Sequence, residues 1–135
     1  MSDSKPGPVL VKNRSVSLFD AVRSLELAGK QYARLFVHGS ATIEIYAPRG
    51  KDDQTPHERD ELYVIASGSG TFVNGDQRVP FSKGDVLFAA AGEEHRFENF
   101  SEDFYTWVIF YGPHGGEKHD GPSLVSKDSA ASTPK

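Results

Sequence analysis

The chain has 135 residues, of which 37% are hydrophobic, and a formal net charge of −4. This length suits one domain with a single core, and the mixed distribution of charges leaves no basic patch for a nucleic-acid partner. The sequence contains no cysteine, which excludes disulfides and thiolate ligands, so any metal must be bound by histidine, carboxylate or amide oxygen. No apolar run has membrane-spanning length and no signal peptide is evident, so we expect a soluble cytoplasmic protein.

The first 30 residues are predicted to form an N-terminal arm and one short helix. Residues 1–12 contain two prolines and a glycine, as is typical of a loose arm. In residues 17–27, apolar residues recur on one helical face. Ser17 is a candidate N-cap and Gly29 a candidate stop for this helix.

Residues 31–112 are predicted to form an all-β domain. Short runs rich in β-branched and aromatic residues alternate with turn residues, at the spacing expected of a sandwich or barrel. Asn74-Gly75 is the strongest hairpin signal because both residues tolerate positive φ, and Pro80 indicates an edge strand or a strand end. Residues 113–135 form a polar tail, which we expect to be flexible because it has few large apolar groups to offset its ordering entropy.

His57 and Glu61 are four positions apart, immediately before the apolar run "LYVIA". On one extended strand they would be about 13 Å apart, too far to share an ion. We therefore predict a tight turn at residues 58–60, with His57 ending one strand and Glu61 beginning its antiparallel neighbour.

His95 is the candidate third ligand, because it follows another predicted strand and a glycine-containing turn. In "HRFEN", His95 and Phe97 share one parity while Arg96 and Glu98 have the other. This alternation predicts that His95 points inward, as a ligand inside a small barrel must.

These two segments resemble the paired motifs of the cupins, over about residues 31–112. In the first motif the matching residues are Gly50, His57, Glu61 and Gly68. In the second they are Gly84, Ala90, Gly92, His95 and Asn99, with Ala90 where the family has proline. The first histidine of the family's His-x-His pair falls on Thr55, or on Gln54 if the register slips by one.

The resemblance implies a double-stranded β-helix, or jelly-roll, barrel that holds one divalent transition metal such as Fe, Mn, Ni or Zn. The metal ligands would be His57, Glu61 and His95, and Gln54 or Thr55 could supply a fourth donor. Two imidazoles and one carboxylate resemble the facial triad that leaves coordination positions open.

A pocket lined by Tyr63, Phe97 and one face of the strand containing Trp107 would suit a small organic acid, phenol or keto compound. The first hypothesis is a mononuclear metalloenzyme, such as an oxygenase, isomerase or lyase. The second is a non-catalytic module that senses or stores a metal or small ligand, and the third is a cupin with an empty site. The resemblance also implies a homodimer, in which the arm at residues 9–11 could add a strand to a neighbouring molecule.

Overall fold

A computed structural model describes residues 15–52, 54–118, 122–123 and 125. Within these residues the chain forms α1 (Leu18–Ala28), β1 (Tyr32–His38), β2 (Ala41–Tyr46), β3 (Asp60–Ser67), β4 (Ser69–Asn74), β5 (Gln77–Ser82), β6 (Val86–Ala89), β7 (His95–Glu98) and β8 (Tyr105–Tyr111). No helix in this part of the chain is long and apolar enough to cross a membrane. The arm at residues 9–11 lies outside the described residues.

The strands form two antiparallel sheets, with the orders β1-β2-β8-β3-β6 and β5-β4-β7. Pro80 lies in β5 at an edge of the smaller sheet, as its missing N–H group predicted. Both sheets contribute to one apolar core, formed by Tyr63, Ile65, Phe72, Phe81, Ala89, Phe97, Phe104 and Val108. The prediction of an all-β jelly roll with a short N-terminal helix is confirmed.

Helix α1 begins and ends where its capping residues predicted. The Ser17 hydroxyl accepts a hydrogen bond from the Asp20 N–H (3.0 Å), and Gly29 has a left-handed φ of 65° and donates its N–H to the Leu25 carbonyl (2.9 Å). The buried side of the helix packs against the sheet. That contact forms a second core cluster of Ala21, Leu25, Leu35, Ile45 and Ala47.

The predicted hairpin is formed by β4 and β5, but its turn lies one residue further along the chain than predicted. Asn74 pairs with Gln77 in the ladder, so the loop consists of Gly75 and Asp76. Gly75 has a φ of 63°, whereas Asn74 has no positive φ. The Asn74 amide donates to the Phe88 carbonyl (2.9 Å), and this long-range bond holds Asn74 in the strand.

Candidate metal centre

The three predicted ligands come from two facing sheets and one loop. Glu61 is the second residue of β3 in the larger sheet, and His95 is the first residue of β7 in the smaller sheet. His57 lies in the loop that precedes β3 and not at the end of a strand, which corrects the prediction. Pro56 lacks an N–H for a ladder, and the His57 carbonyl instead accepts a hydrogen bond from the Gly92 N–H (2.7 Å).

The donor atoms of these residues lie close together. Glu61 Oε1 is 3.2 Å from His95 Nε2 and 3.8 Å from His57 Nε2, and all three atoms lie within 4.8 Å of one another. Ligand atoms bound at about 2.1 Å in a tetrahedral arrangement are about 3.4 Å apart. The spacing therefore fits one ion after small side-chain adjustments.

Two of these atoms, Glu61 Oε1 and His95 Nε2, are buried and face only each other, at 3.2 Å, among the described residues. When His95 is neutral with its proton on Nδ1, both atoms present lone pairs and neither satisfies the other. The side chains of Glu61 and His95 are 2% and 1% exposed, whereas that of His57 is 35% exposed. Leaving a buried polar atom unsatisfied costs about 1–3 kcal/mol. A cation between the three side chains would satisfy both atoms, so the residues present fit a metal ion.

His95 is oriented by its backbone neighbour. Its Nδ1 lies 2.9 Å from the Glu93 carbonyl oxygen, so a neutral ring that donates from Nδ1 directs an unprotonated Nε2 towards Glu61. Burial lowers the pKa of His95, but the Glu61 carboxylate, the Glu93 carbonyl and Asp52 outweigh it and raise the pKa above its ordinary value. Without metal, this side chain is therefore predisposed to hold a proton.

Gln54 places its amide oxygen beside the three donor atoms. Gln54 Oε1 is 3.2 Å from His57 Nε2 and accepts a hydrogen bond from the Tyr63 hydroxyl (3.3 Å). The Gln54 amide nitrogen donates to Asp52 Oδ2 (2.7 Å), which sets the orientation of the amide. The same Asp52 oxygen accepts the N–H of Phe97 in β7 (2.8 Å). One buried carboxylate thus links the Gln54 loop to the strand that carries His95.

A second buried aspartate holds the two motifs together. Asp60 is 5% exposed, and its two oxygens accept the backbone N–H groups of Ala91 and Glu117, each at 2.9 Å. Neither this aspartate nor Asp52 was identified from the sequence. Each has a backbone partner 31 to 57 positions away, and no local pattern in the sequence signals these long-range bonds.

The centre opens into a cleft of about 840 Å³, whose walls include Thr42, Glu44, Tyr46, His57, Val108 and Phe110. Of the predicted pocket residues, Tyr63 lines this cleft. Phe97 does not line it and belongs to the core between the sheets. Trp107 lies on the opposite face of β8, in the cluster under helix α1, so its predicted place in the pocket is corrected.

Charged side chains on the cleft wall were not recognised as site residues from the sequence. Arg34 and Glu44 are cross-strand neighbours on β1 and β2, and Arg34 Nε lies 3.8 Å from Glu44 Oε2. Burial raises the pKa of Glu44, and the nearby Glu61 adds to this shift, while Arg34 and Arg59 oppose it. A carboxylate that is half-desolvated and only loosely paired therefore faces the cleft.

The first residues of the predicted tail pack beside the cleft. The His114 ring lies 2.8 Å from the Glu58 carboxylate, and the Gly115 N–H donates to the Glu58 carbonyl (2.7 Å). His114 also lines the cleft. This part of residues 113–135 thus contributes to the site wall.

The family model described as "Cupin domain" matches residues 42–111. An uncharacterized protein from Streptomyces coelicolor is 36% identical over 62 residues, which are 46% of this chain and 59% of that protein. The chain therefore spans about three fifths of the curated relative that it matches.

Similar solved structures agree on the fold. A protein of unknown function from Rhizobium leguminosarum has a TM-score of 0.58 and 24% identity, covering 76% of this chain and 99% of that one. The DMSP lyase DddQ from Ruegeria pomeroyi has a TM-score of 0.53 and 22% identity, covering 60% of this chain and 46% of that one. At these identities the likeness concerns the fold alone.

Proposed function

Because this chain belongs to the cupin family, whose model matches residues 42–111, we propose that it binds one divalent transition metal ion through His57, Glu61 and His95. The observation that supports the proposal is that the buried donor atoms of Glu61 and a neutral His95 face only each other among the described residues and lie within 4.8 Å of a third donor on His57. Burying such atoms without a ligand is costly, and a cation removes that cost.

We assign Gln54 as the fourth donor in preference to Thr55. Its amide oxygen lies 3.2 Å from the His57 ligand atom, a spacing that suits two ligands of one ion. Thr55 is exposed, and no hydrogen bond or ion pair within the described residues orients it. Two imidazoles, one carboxylate and one amide oxygen are donors that suit Fe, Mn, Ni or Zn.

The cleft beside the centre supports binding of a small organic acid, phenol or keto compound. A bound divalent ion would supply a Lewis acid that polarises an oxygen of such a ligand. The Tyr63 hydroxyl stays protonated, because burial and the nearby Glu61 raise its pKa well above the ordinary value. Apolar walls at Val108 and Phe110 would exclude water from the bound ligand.

An enzyme of the oxygenase, isomerase or lyase type is the first candidate. The lyase from Ruegeria pomeroyi illustrates that the fold accommodates lyase chemistry, and it assigns no reaction to this chain. A non-catalytic binding or sensor module is the second candidate. In favour of this second candidate, the other two carboxylates that line the cleft each have a basic neighbour: Glu44 lies beside Arg34, and Glu58 lies beside His114. A carboxylate paired in this way is not free to act as a catalytic base.

Elemental analysis of protein purified without chelator, before and after refilling with metal, tests the metal site. We expect close to one ion per chain, and its loss in His95→Ala. His38→Ala is the matched control, because it removes an exposed imidazole at the end of β1. Content far below one ion after refilling would favour a cupin with an empty site, and retained metal in His95→Ala would refute the ligand assignment. Dioxygen uptake with catechols and diketones then separates an oxygenase from a sensor.

We also propose a homodimer in the cytoplasm. Strand β1 is an edge of the larger sheet, and its Tyr32 and Val37 are 49% and 58% exposed, which supports pairing through this edge. The absence of cysteine fits a reducing compartment. Light scattering of the purified chain tests the dimer, and a monomeric mass at micromolar concentration would contradict it.

A further inference from the structure

Arg59 presents a fixed guanidinium group to the cleft. Its Nη1 donates to the Ser40 carbonyl, and its Nη2 donates to the Thr42 hydroxyl (3.1 Å). The guanidinium carbon also lies 5.9 Å from the centre of the Phe110 ring. Two hydrogen bonds and a cation–π contact therefore hold this side chain in place before any ligand arrives.

The guanidinium and the candidate metal ligands flank the same aromatic ring. The His57 ring packs edge-on against Phe110, with 5.1 Å between ring centres. In the sheet, Phe110 of β8 pairs with Thr42 of β2 on one side and with Glu61 of β3 on the other. Arg59 is hydrogen-bonded to Thr42, so its guanidinium group and the candidate ligand Glu61 lie at opposite ends of the cross-strand row Thr42–Phe110–Glu61.

Arg59 has unused donor capacity. A guanidinium has five N–H groups, and the contacts within the described part of the chain engage two of them. No carboxylate among the described residues lies within ion-pair distance of Arg59, whereas Arg34, Arg78 and Arg96 each have one. A partly buried guanidinium with free donors is a site for a carboxylate of a ligand.

The charge of the cleft also favours an anion. Its lining contains three cationic side chains, Lys30, Arg34 and Arg59, and three carboxylates, Glu44, Glu58 and Glu61. These charges cancel, so a bound divalent ion leaves the loaded cleft with two positive charges in a chain whose net charge is −4. An anionic ligand is attracted to such a cleft against the field of the whole protein.

We propose that Arg59 binds a carboxylate of the ligand, and that the ligand is a small dianion whose second oxygen-bearing end reaches the metal centre. The ring of Phe110 would contact the carbon skeleton between the two ends. This inference rests on the proposed metal site and deepens it, because it selects a dicarboxylate or a similar dianion from the wider set of small acids, phenols and keto compounds.

The test uses the full chain loaded with Mn²⁺, titrated calorimetrically with succinate, glutarate and adipate, and with butyrate as the monoanionic control. We expect at least one dicarboxylate to bind more tightly than butyrate. Arg59→Gln should lose about tenfold to a hundredfold of that affinity, the range for a charge-assisted hydrogen bond. Arg78→Gln, which removes the same charge from an exposed arginine outside the cleft, should bind the dicarboxylate as the wild type does.

Two further variants separate ligand binding from a structural role. Arg59→Lys keeps the charge but not the planar fork, so it should retain part of the dicarboxylate preference. Thr42→Val removes the hydroxyl that orients the guanidinium and should weaken dicarboxylate binding less than Arg59→Gln does. Mn²⁺ content is measured in each variant and should not change.

The outcomes distinguish the two proposals. If Mn²⁺ binds but every dicarboxylate binds no better than butyrate, or if Arg59→Gln keeps the full preference, the assignment of Arg59 is wrong and the metal site stands. If the wild type binds neither Mn²⁺ nor any of the other candidate metals, the proposed function is wrong. The proposal that a dianion binds between Arg59 and the metal centre is then wrong as well.

Discussion

Gly68, the closing glycine of the first motif, should be required for packing and not for chemistry. Its φ is 89°, and a Cβ atom built on it would lie 2.6 Å from the Phe104 Cα and 2.8 Å from the Ser101 hydroxyl oxygen. Phe104 is fully buried in the core between the sheets, so its backbone cannot move away without disturbing its neighbours. Gly68→Ala therefore imposes both backbone strain and steric overlap.

The two terms can be estimated separately. A left-handed backbone costs a residue with a Cβ about 1–2 kcal/mol, and overpacking of a filled site costs about 1–3 kcal/mol. Gly84 offers a matched control, because its φ is 94° and a Cβ atom placed on it would meet no atom of the described residues within 4 Å. We expect Gly68→Ala to lower the free energy of unfolding by about 2–5 kcal/mol, and Gly84→Ala by about 1–2 kcal/mol.

Urea denaturation of the metal-free variants measures both losses, and the larger one corresponds to a fall in Tm of roughly 6–20 °C. Folded Gly68→Ala should bind metal in the same proportion as the wild type, because no donor atom changes. Equal losses in the two variants would refute the crowding argument. Loss of metal from folded Gly68→Ala would show that the glycine also shapes the centre.

Three further predictions concern the groups around the centre. Asp52→Asn should weaken metal binding about 10- to 100-fold in chelator competition, because the carboxylate that orients the Gln54 amide is lost. In metal-free protein the pKa of His95 lies above its ordinary 6.5, so folding favours its protonated form. Its contribution to stability is then full below about pH 6.5 and is lost as the pH rises through the folded pKa, so His95→Gln should cost less stability at about pH 9 than at about pH 5. Asp60→Ala removes the acceptor of two partly buried N–H groups, those of Ala91 and Glu117, which should lower stability by about 1–3 kcal/mol and speed hydrogen exchange at Glu117.

Local signals in the sequence were sufficient for much of the fold. The helix followed from Ser17 and Gly29, which satisfy its terminal backbone groups without help from the rest of the chain. The inward direction of Glu61 and His95 followed from strand alternation, because their strands each bury one side. Helix capping and strand alternation both depend on residues that are only two to four positions apart in the sequence.

Alternation alone could not choose the inner face of β8, because both faces of this strand are covered. Val108 faces the core between the sheets, while Trp107 faces the cluster under helix α1. A strand covered on both sides reads as a continuous apolar run. Only the position of the helix on the sheet decides that Trp107 lies outside the pocket.

The two aspartates connect the segments that carry the candidate ligands through hydrogen bonds. Asp52 joins the Gln54 loop to β7, and Asp60 joins the start of β3 to the loop before His95. Each carboxylate accepts N–H groups from segments distant in sequence, so the donors from both motifs are positioned by bonds that do not involve an ion. A centre that is preorganised in this way loses less conformational entropy when an ion binds. Two imidazoles, one carboxylate and an oriented amide can therefore serve as a binding site although one histidine of the family's pattern is missing.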